Sequence, residues 1–215
     1  MSAGSGAANF AVQLWEVSDA PACPVALDAT EQARAARMTN AEARRMFVAC
    51  RSALRVLLGR ALGVDPLSVP VVTESGGKPA LATGHALAFS VSHAGDVGLI
   101  ALSHHARVGV DVERVPQDIH ALSAIETVLV QGERDDLHQC PRPLRPAWLT
   151  AAWTRREALL KGRGTGLSDE ALRQEPGADP SWTIRDVEVR PGYRAALAIE
   201  RAGWTGVVTR EQYRS

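Results

Sequence analysis

The run Val108-Gly109-Val110-Asp111-Val112-Glu113 constrains this chain more than any other segment. Its period of two places three valines on one face of a strand and Gly109, Asp111 and Glu113 on the other. Residues two apart on a strand lie about 6.5–7 Å apart at Cα, near enough for both carboxylates to reach one hard cation directly or through water. An edge strand with a solvated acidic face is the other reading of the same run.

The rest of the chain predicts helices and short strands in two groups. A strand over residues 10–17 opens the chain, followed by two helices. The first has Asp28 and Glu31 in N-cap and N3 spacing, the second Thr39 and Glu42 before a run ending at Gly63. Strands over 71–73, 87–92, 97–103 and 108–112 read as one compact antiparallel group. Weak helices near 123–128 and 133–138 precede a clear helix over 147–161, and the tail offers strands over 182–189 and 193–200, with a third at 206–209. At 215 residues and 46% hydrophobic composition the chain can bury a sizeable core as one large domain or two small ones. Helix plus small sheet occurs twice, which predicts two packed α+β subdomains, 1–105 and 106–215, with a seam near 103–107.

Charge and cysteine usage narrow the function classes. With 24 basic and 24 acidic residues the net charge is zero, so whole-molecule charge gives no reason to expect nucleic acid or an anionic membrane, and an anionic ligand needs a local patch. Three cysteines, Cys23, Cys50 and Cys140, lack metal-ligand spacing and suit free thiols in a reducing, cytoplasmic setting. Residues 1–8 lack the basic and apolar regions of a secretory signal, and no stretch is long and apolar enough to span a bilayer.

Two further segments carry chemistry. In Trp153-Thr154-Arg155-Arg156-Glu157-Ala158-Leu159-Leu160-Lys161, Leu149, Trp153 and Leu160 form an apolar stripe, and Glu157 stands about 40° from Trp153 around the helix. A carboxylate leaning inwards must be neutralised, paired or metal-bound. Lys161, one turn on, can simply be its ion-pair partner. The glycines of Gly162-Arg163-Gly164-Thr165-Gly166-Leu167 read as a helix C-cap or as a loop that lets backbone approach a ligand. The other segment is Gly76-Gly77-Lys78-Pro79, followed by Phe89-Ser90-Val91-Ser92-His93-Ala94-Gly95. It offers several donors to a phosphate, although a Gly-Lys-Pro turn and a Ser-His pair are each also ordinary structural features. Arg34, Arg37, Arg44, Arg45 and Arg51 on the N-terminal helices read by default as solvated.

In this order, a Gly-Lys-Pro turn, a strand ending Ser-Val-Ser-His, a Val-Asp-Val-Glu strand and Trp-x-x-x-Glu-x-x-x-Lys-Gly-x-Gly-x-Gly-Leu, the segments resemble the Sfp-type 4′-phosphopantetheinyl transferases. The resemblance runs from the helix with Arg51 to Pro191-Gly192-Tyr193. It implies a pseudo-dimer of two α+β halves with the active site in the cleft between them. It implies that Asp111, Glu113 and Glu157 surround a Mg²⁺ ion, and that Arg51, Lys78, Pro79, Ser92, His93 and Arg156 contact coenzyme A. Glu157 and Lys161 would be catalytic, with Lys161 near the reacting phosphates. The implied partners are an apo acyl or peptidyl carrier protein and coenzyme A, with no nucleic acid and no membrane, and a monomer is expected. Two departures stand out: Arg156 takes the place of a frequent Lys, and Thr127-Val128-Leu129-Val130-Gln131-Gly132-Glu133 lacks the usual aromatic residue in a region that tends to meet the carrier. A non-catalytic carrier- or nucleotide-binding homologue and a magnesium-dependent phosphohydrolase are the rival readings.

Overall fold

A computed structural model describes residues 10–18, 26–73, 78–82, 86–166 and 168–213. Cys23, the Gly76-Gly77 pair, Leu167 and residues 1–8 lie outside the described residues. The fold is α+β. Helix α1 (Ala29–Arg37) opens on a reciprocal capping box, Asp28 accepting the amide of Glu31 and Glu31 that of Asp28. Helix α2 (Ala41–Leu62) is capped by Asn40, not by Thr39 as expected. The Asn40 side chain reaches the amide of Ala43, and Thr39 lies one residue too far out. The helix stops at Gly63, whose φ of +70° is the left-handed conformation that favours glycine.

The strands expected as one antiparallel group divide among three sheets. β2 (Val71–Thr73) pairs only with β3 (Pro79–Leu81), a strand that the periodicity did not predict. β4 (Ala88–Ala94) and β5 (Val97–Ser103) join β1 (Val12–Val17) in an antiparallel run, and β9 (Val208–Gln212) extends that sheet as a parallel neighbour of β1. β6 (Val108–Arg114) leaves this group after the turn at 104–107 and pairs antiparallel with β8 (Tyr193–Ile199), which also takes β7 (Thr183–Val187). In place of a backbone partner in β4, the amides of Val110 and Val112 find the hydroxyls of Ser90 and Ser92 at 3.0 and 3.4 Å. Side chains of one sheet thus satisfy the open edge of the other.

Alternation along the strands explains the layers. Val97, Leu99 and Ala101 of β5 meet Val108, Val110 and Val112 of β6 and Leu197 and Ile199 of β8 in one core. The opposite face of the first sheet, with Ile100 and Leu102, packs on Met46, Cys50, Leu54 and Leu58 of α2. The opposite face of the second, with Ala196 and Ala198, packs on Ala158 and Leu159 of α5 (Arg145–Arg163). Strand β6 is therefore covered on both faces, which excludes the solvated edge strand as its role. Helices α3 (Ser123–Glu126) and α4 (Gln131–Gln139) flank α5, and the short α6 (Asp169–Leu172) follows it. Small residues set the spacing of α5 on β6: a β-carbon at position 109 would lie 1.9 Å from the Ala158 carbonyl oxygen and 2.3 Å from the Gly162 nitrogen. Among the described residues no helix is long and apolar enough to cross a membrane.

Candidate active site

Close approach of α5 to β6 brings Glu157 and Lys161 over Asp111. The Lys161 ammonium lies 2.5 Å from Asp111 Oδ1, 3.1 Å from Ser92 Oγ and 3.5 Å from Glu157 Oε2. Ser92 donates to the same Asp111 Oδ1 at 2.8 Å. Asp111 is fully buried, and among the described residues its Oδ2 has no hydrogen-bond partner. A buried carboxylate oxygen left unpaired costs about 1–3 kcal/mol or more, so its surroundings suit a positive or donating group.

Crowding marks the electrostatics of these groups. Burial first, and then the neighbouring Asp111 carboxylate, push Glu113 up to about 7 from an ordinary 4.5 and also raise Glu157. Burial alone would lower Lys161, but the Asp111 and Glu157 carboxylates outweigh it and hold the ammonium protonated. Because Glu113 binds its proton more tightly when folded, it favours the fold fully below about 4.5, and this contribution is lost as pH rises through about 7. In chelator, the melting temperature of the native protein is expected to fall relative to Glu113→Gln between pH 5 and 8. Parallel pH profiles for the two proteins would contradict this assignment.

The donor chemistry suits a hard divalent cation. All three carboxylates offer oxygen, they repel one another, and one buried oxygen is unused. In the present arrangement the Lys161 ammonium bridges Asp111 and Glu157. Among the described residues no three carboxylate, imidazole or thiol side chains are drawn to the spacing of a closed metal site.

Beside this cluster lies a cavity of about 410 Å³ between α1, α2, β3, β4 and α5. Glu157 and Lys161 line it together with Arg51, Lys78, Pro79 and His93. Lys78 reaches across from the hairpin, its Nζ 3.3 Å from the carbonyls of Val108 and of Gly162 in the last turn of α5. Arg51 has Glu31 as its ion-pair partner only at 3.9 Å, beyond hydrogen-bond distance. His93 titrates below its usual 6.5, chiefly through burial and then through the charges of Lys161, Arg51 and Arg34. At neutral pH its imidazole is therefore uncharged, able to orient a ligand without titrating.

Two of the residues expected at coenzyme A do not line this cavity. Arg156 is 1% exposed and is not part of the cavity lining. Its guanidinium forms a bidentate pair with Glu133 and also donates to the carbonyls of Val128, Ala152 and Leu172. Those five bonds use all five N–H groups. Ser92 is buried beside Asp111 and does not line the cavity. Arg34 is exposed, as read from the sequence, and also lines the cavity with Phe47 and Cys50. Arg34 and Arg51 stack on the Phe47 ring, 5.1 and 5.6 Å from its centroid. The available signal was phase: Arg34 lies one turn from Glu31 and next to Ala35, both buried on α1.

Comparison with known proteins agrees with this geometry. The profile of the 4′-phosphopantetheinyl transferase superfamily matches residues 107–195, from β6 into β8. The 4′-phosphopantetheinyl transferase HetI of a Nostoc species is 32% identical over 83% of this chain and 80% of its own length. The 4′-phosphopantetheinyl transferase AcpT of Salmonella typhi is 40% identical over 51% of this chain and 56% of its own. The 4′-phosphopantetheinyl transferase psf-1 of Bacillus pumilus is 28% identical over 60% of each. A relative this similar over four-fifths of its length, with Asp111, Glu157 and Lys161 gathered beside a cationic cavity, places the chain in a family: it belongs to the 4′-phosphopantetheinyl transferase superfamily.

Proposed function

We propose that this protein transfers the 4′-phosphopantetheine group of coenzyme A to a serine of an apo acyl or peptidyl carrier protein, with Mg²⁺, releasing 3′,5′-ADP. The observation that carries this reading is the buried Asp111 Oδ2, unpartnered among the described residues, beside Lys161 and Glu157, which themselves line a cavity with Arg34, Arg51 and Lys78. A ligand with a pyrophosphate and a phosphomonoester fits such a cationic wall, and the volume is that of a small-molecule site.

Asp111, Glu113 and Glu157 would hold the metal, which supplies Lewis-acid stabilisation of charge on the pyrophosphate. Arg51, Lys78, Pro79 and His93 bind and orient coenzyme A. The carrier serine Oγ attacks the β-phosphorus, the bond from that phosphorus to the 3′,5′-ADP oxygen breaks, and the serine proton passes to Glu157, a carboxylate that burial and the neighbouring Asp111 make more basic than usual. Lys161 stabilises the departing phosphate. The N-terminal half, 1–105, supplies the coenzyme A contacts, and 106–215 the carboxylates and the catalytic helix. The free thiol of Cys50 suits a reducing, cytoplasmic setting, and one chain holds the whole constellation.

Arg51→Ala and Lys78→Ala are each expected to weaken coenzyme A binding about tenfold or more by calorimetry, and to slow the bound reaction less. Unchanged affinity in both would remove these residues from the site. Release of 3′,5′-ADP tests the reaction class: it should require carrier protein and match the carrier modified, whereas release without carrier indicates hydrolysis.

A further inference from the structure

We propose that Ser92 is a positioning residue for Asp111, fixing which carboxylate oxygen is offered to the metal, and that it is not a coenzyme A contact. The inference rests on the reading above in which Asp111 is a metal ligand. Ser90 and Ser92 lie two apart on β4, and both accept an amide of β6, Val110 N at 3.0 Å and Val112 N at 3.4 Å. Beyond that shared role they differ. Ser92 Oγ also meets the Lys161 ammonium at 3.1 Å and Asp111 Oδ1 at 2.8 Å.

Polarity settles the direction of each bond. An amide and an ammonium can only donate, so both must donate to Ser92, and its single hydroxyl proton is left for Asp111 Oδ1. One donor and two acceptor sites are then all in use. No capacity remains for a phosphate, in keeping with a side chain that is buried and absent from the cavity wall. Oδ1 accepts both Ser92 and Lys161, which leaves Oδ2 as the oxygen without a partner. The serine thereby holds the carboxylate in one orientation, the service that outer partners give to metal ligands generally.

The test uses Mn²⁺ titrated calorimetrically into the full-length protein with coenzyme A present and no carrier, alongside coenzyme A binding in chelator and thermal melts. Ser92→Ala is expected to weaken Mn²⁺ binding about 10–100-fold while leaving coenzyme A affinity in chelator unchanged. Ser90→Ala, which loses the bond to the β6 amide and a hydroxyl from the cavity wall but no contact with Asp111, is expected to leave Mn²⁺ affinity near that of the native protein. Ser92→Thr keeps the donor and is expected to restore most of the metal affinity. Native-like Mn²⁺ affinity in Ser92→Ala, equal weakening in both alanine variants, a threonine variant as weak as the alanine one, or lower coenzyme A affinity in chelator for Ser92→Ala would each overturn the assignment. If the native protein with coenzyme A binds no Mn²⁺, the metal reading of Asp111 falls together with it.

Discussion

Asp111→Asn is expected to lower the transfer rate by about 10²-fold or more, the scale seen when preorganised charge stabilisation is removed from an active site. Asparagine keeps the volume and leaves an oxygen to accept from Ser92 and Lys161, so the buried pocket is still filled. What it removes is the negative charge proposed to hold the metal. Truncation to alanine would be a poorer probe, because it leaves Ser92 and Lys161 without their shared acceptor and invites a stability loss. A folded Asp111→Asn protein with native turnover would sink the metal and charge assignment of this residue.

Gly109→Ala is expected to have the largest effect on stability. The added methyl group would meet the Ala158 carbonyl oxygen at 1.9 Å and the Gly162 nitrogen at 2.3 Å, and neither can rotate away because both are backbone. Relief requires α5 to move off β6, which opens the core formed by Ala158, Leu159 and Ala196. Overpacking in a well-packed interior costs about 1–3 kcal/mol and here should reach the upper end or exceed it. For a chain of this size about 3 kcal/mol corresponds to a fall of roughly 6–12 °C in melting temperature. Activity should fall further than stability, because the same displacement carries Glu157 and Lys161 away from Asp111. A calorimetric melt within 2 °C of the native protein would contradict the close packing of α5 on β6.

Local pattern made some of this architecture legible and hid the rest. The two-residue period of β6 correctly placed its valines in the core, and the helical phase of Trp153 and Glu157 pointed that carboxylate inwards, because both are properties of a few consecutive residues. Arg155 and Arg156 show the limit. Adjacent and identical in type, they end as a half-exposed partner of Asp186 and a fully buried partner of Glu133, and only the packing of the 120–139 segment on α5 decides which is which. The bond from Ser92 to Asp111 was not legible locally, because it depends on how two sheets meet. The parallel pairing of β9 with β1 joins residues almost 200 positions apart, beyond any local periodicity.

The central claim is tested most directly by intact-protein mass spectrometry of an apo carrier protein incubated with this protein, coenzyme A and Mg²⁺. The expected result is a gain of one phosphopantetheine mass on a single serine, abolished by chelator and reduced at least about 10²-fold by Glu157→Gln. No serine modification across a panel of acyl and peptidyl carriers, with coenzyme A binding intact by calorimetry, would contradict the transferase account.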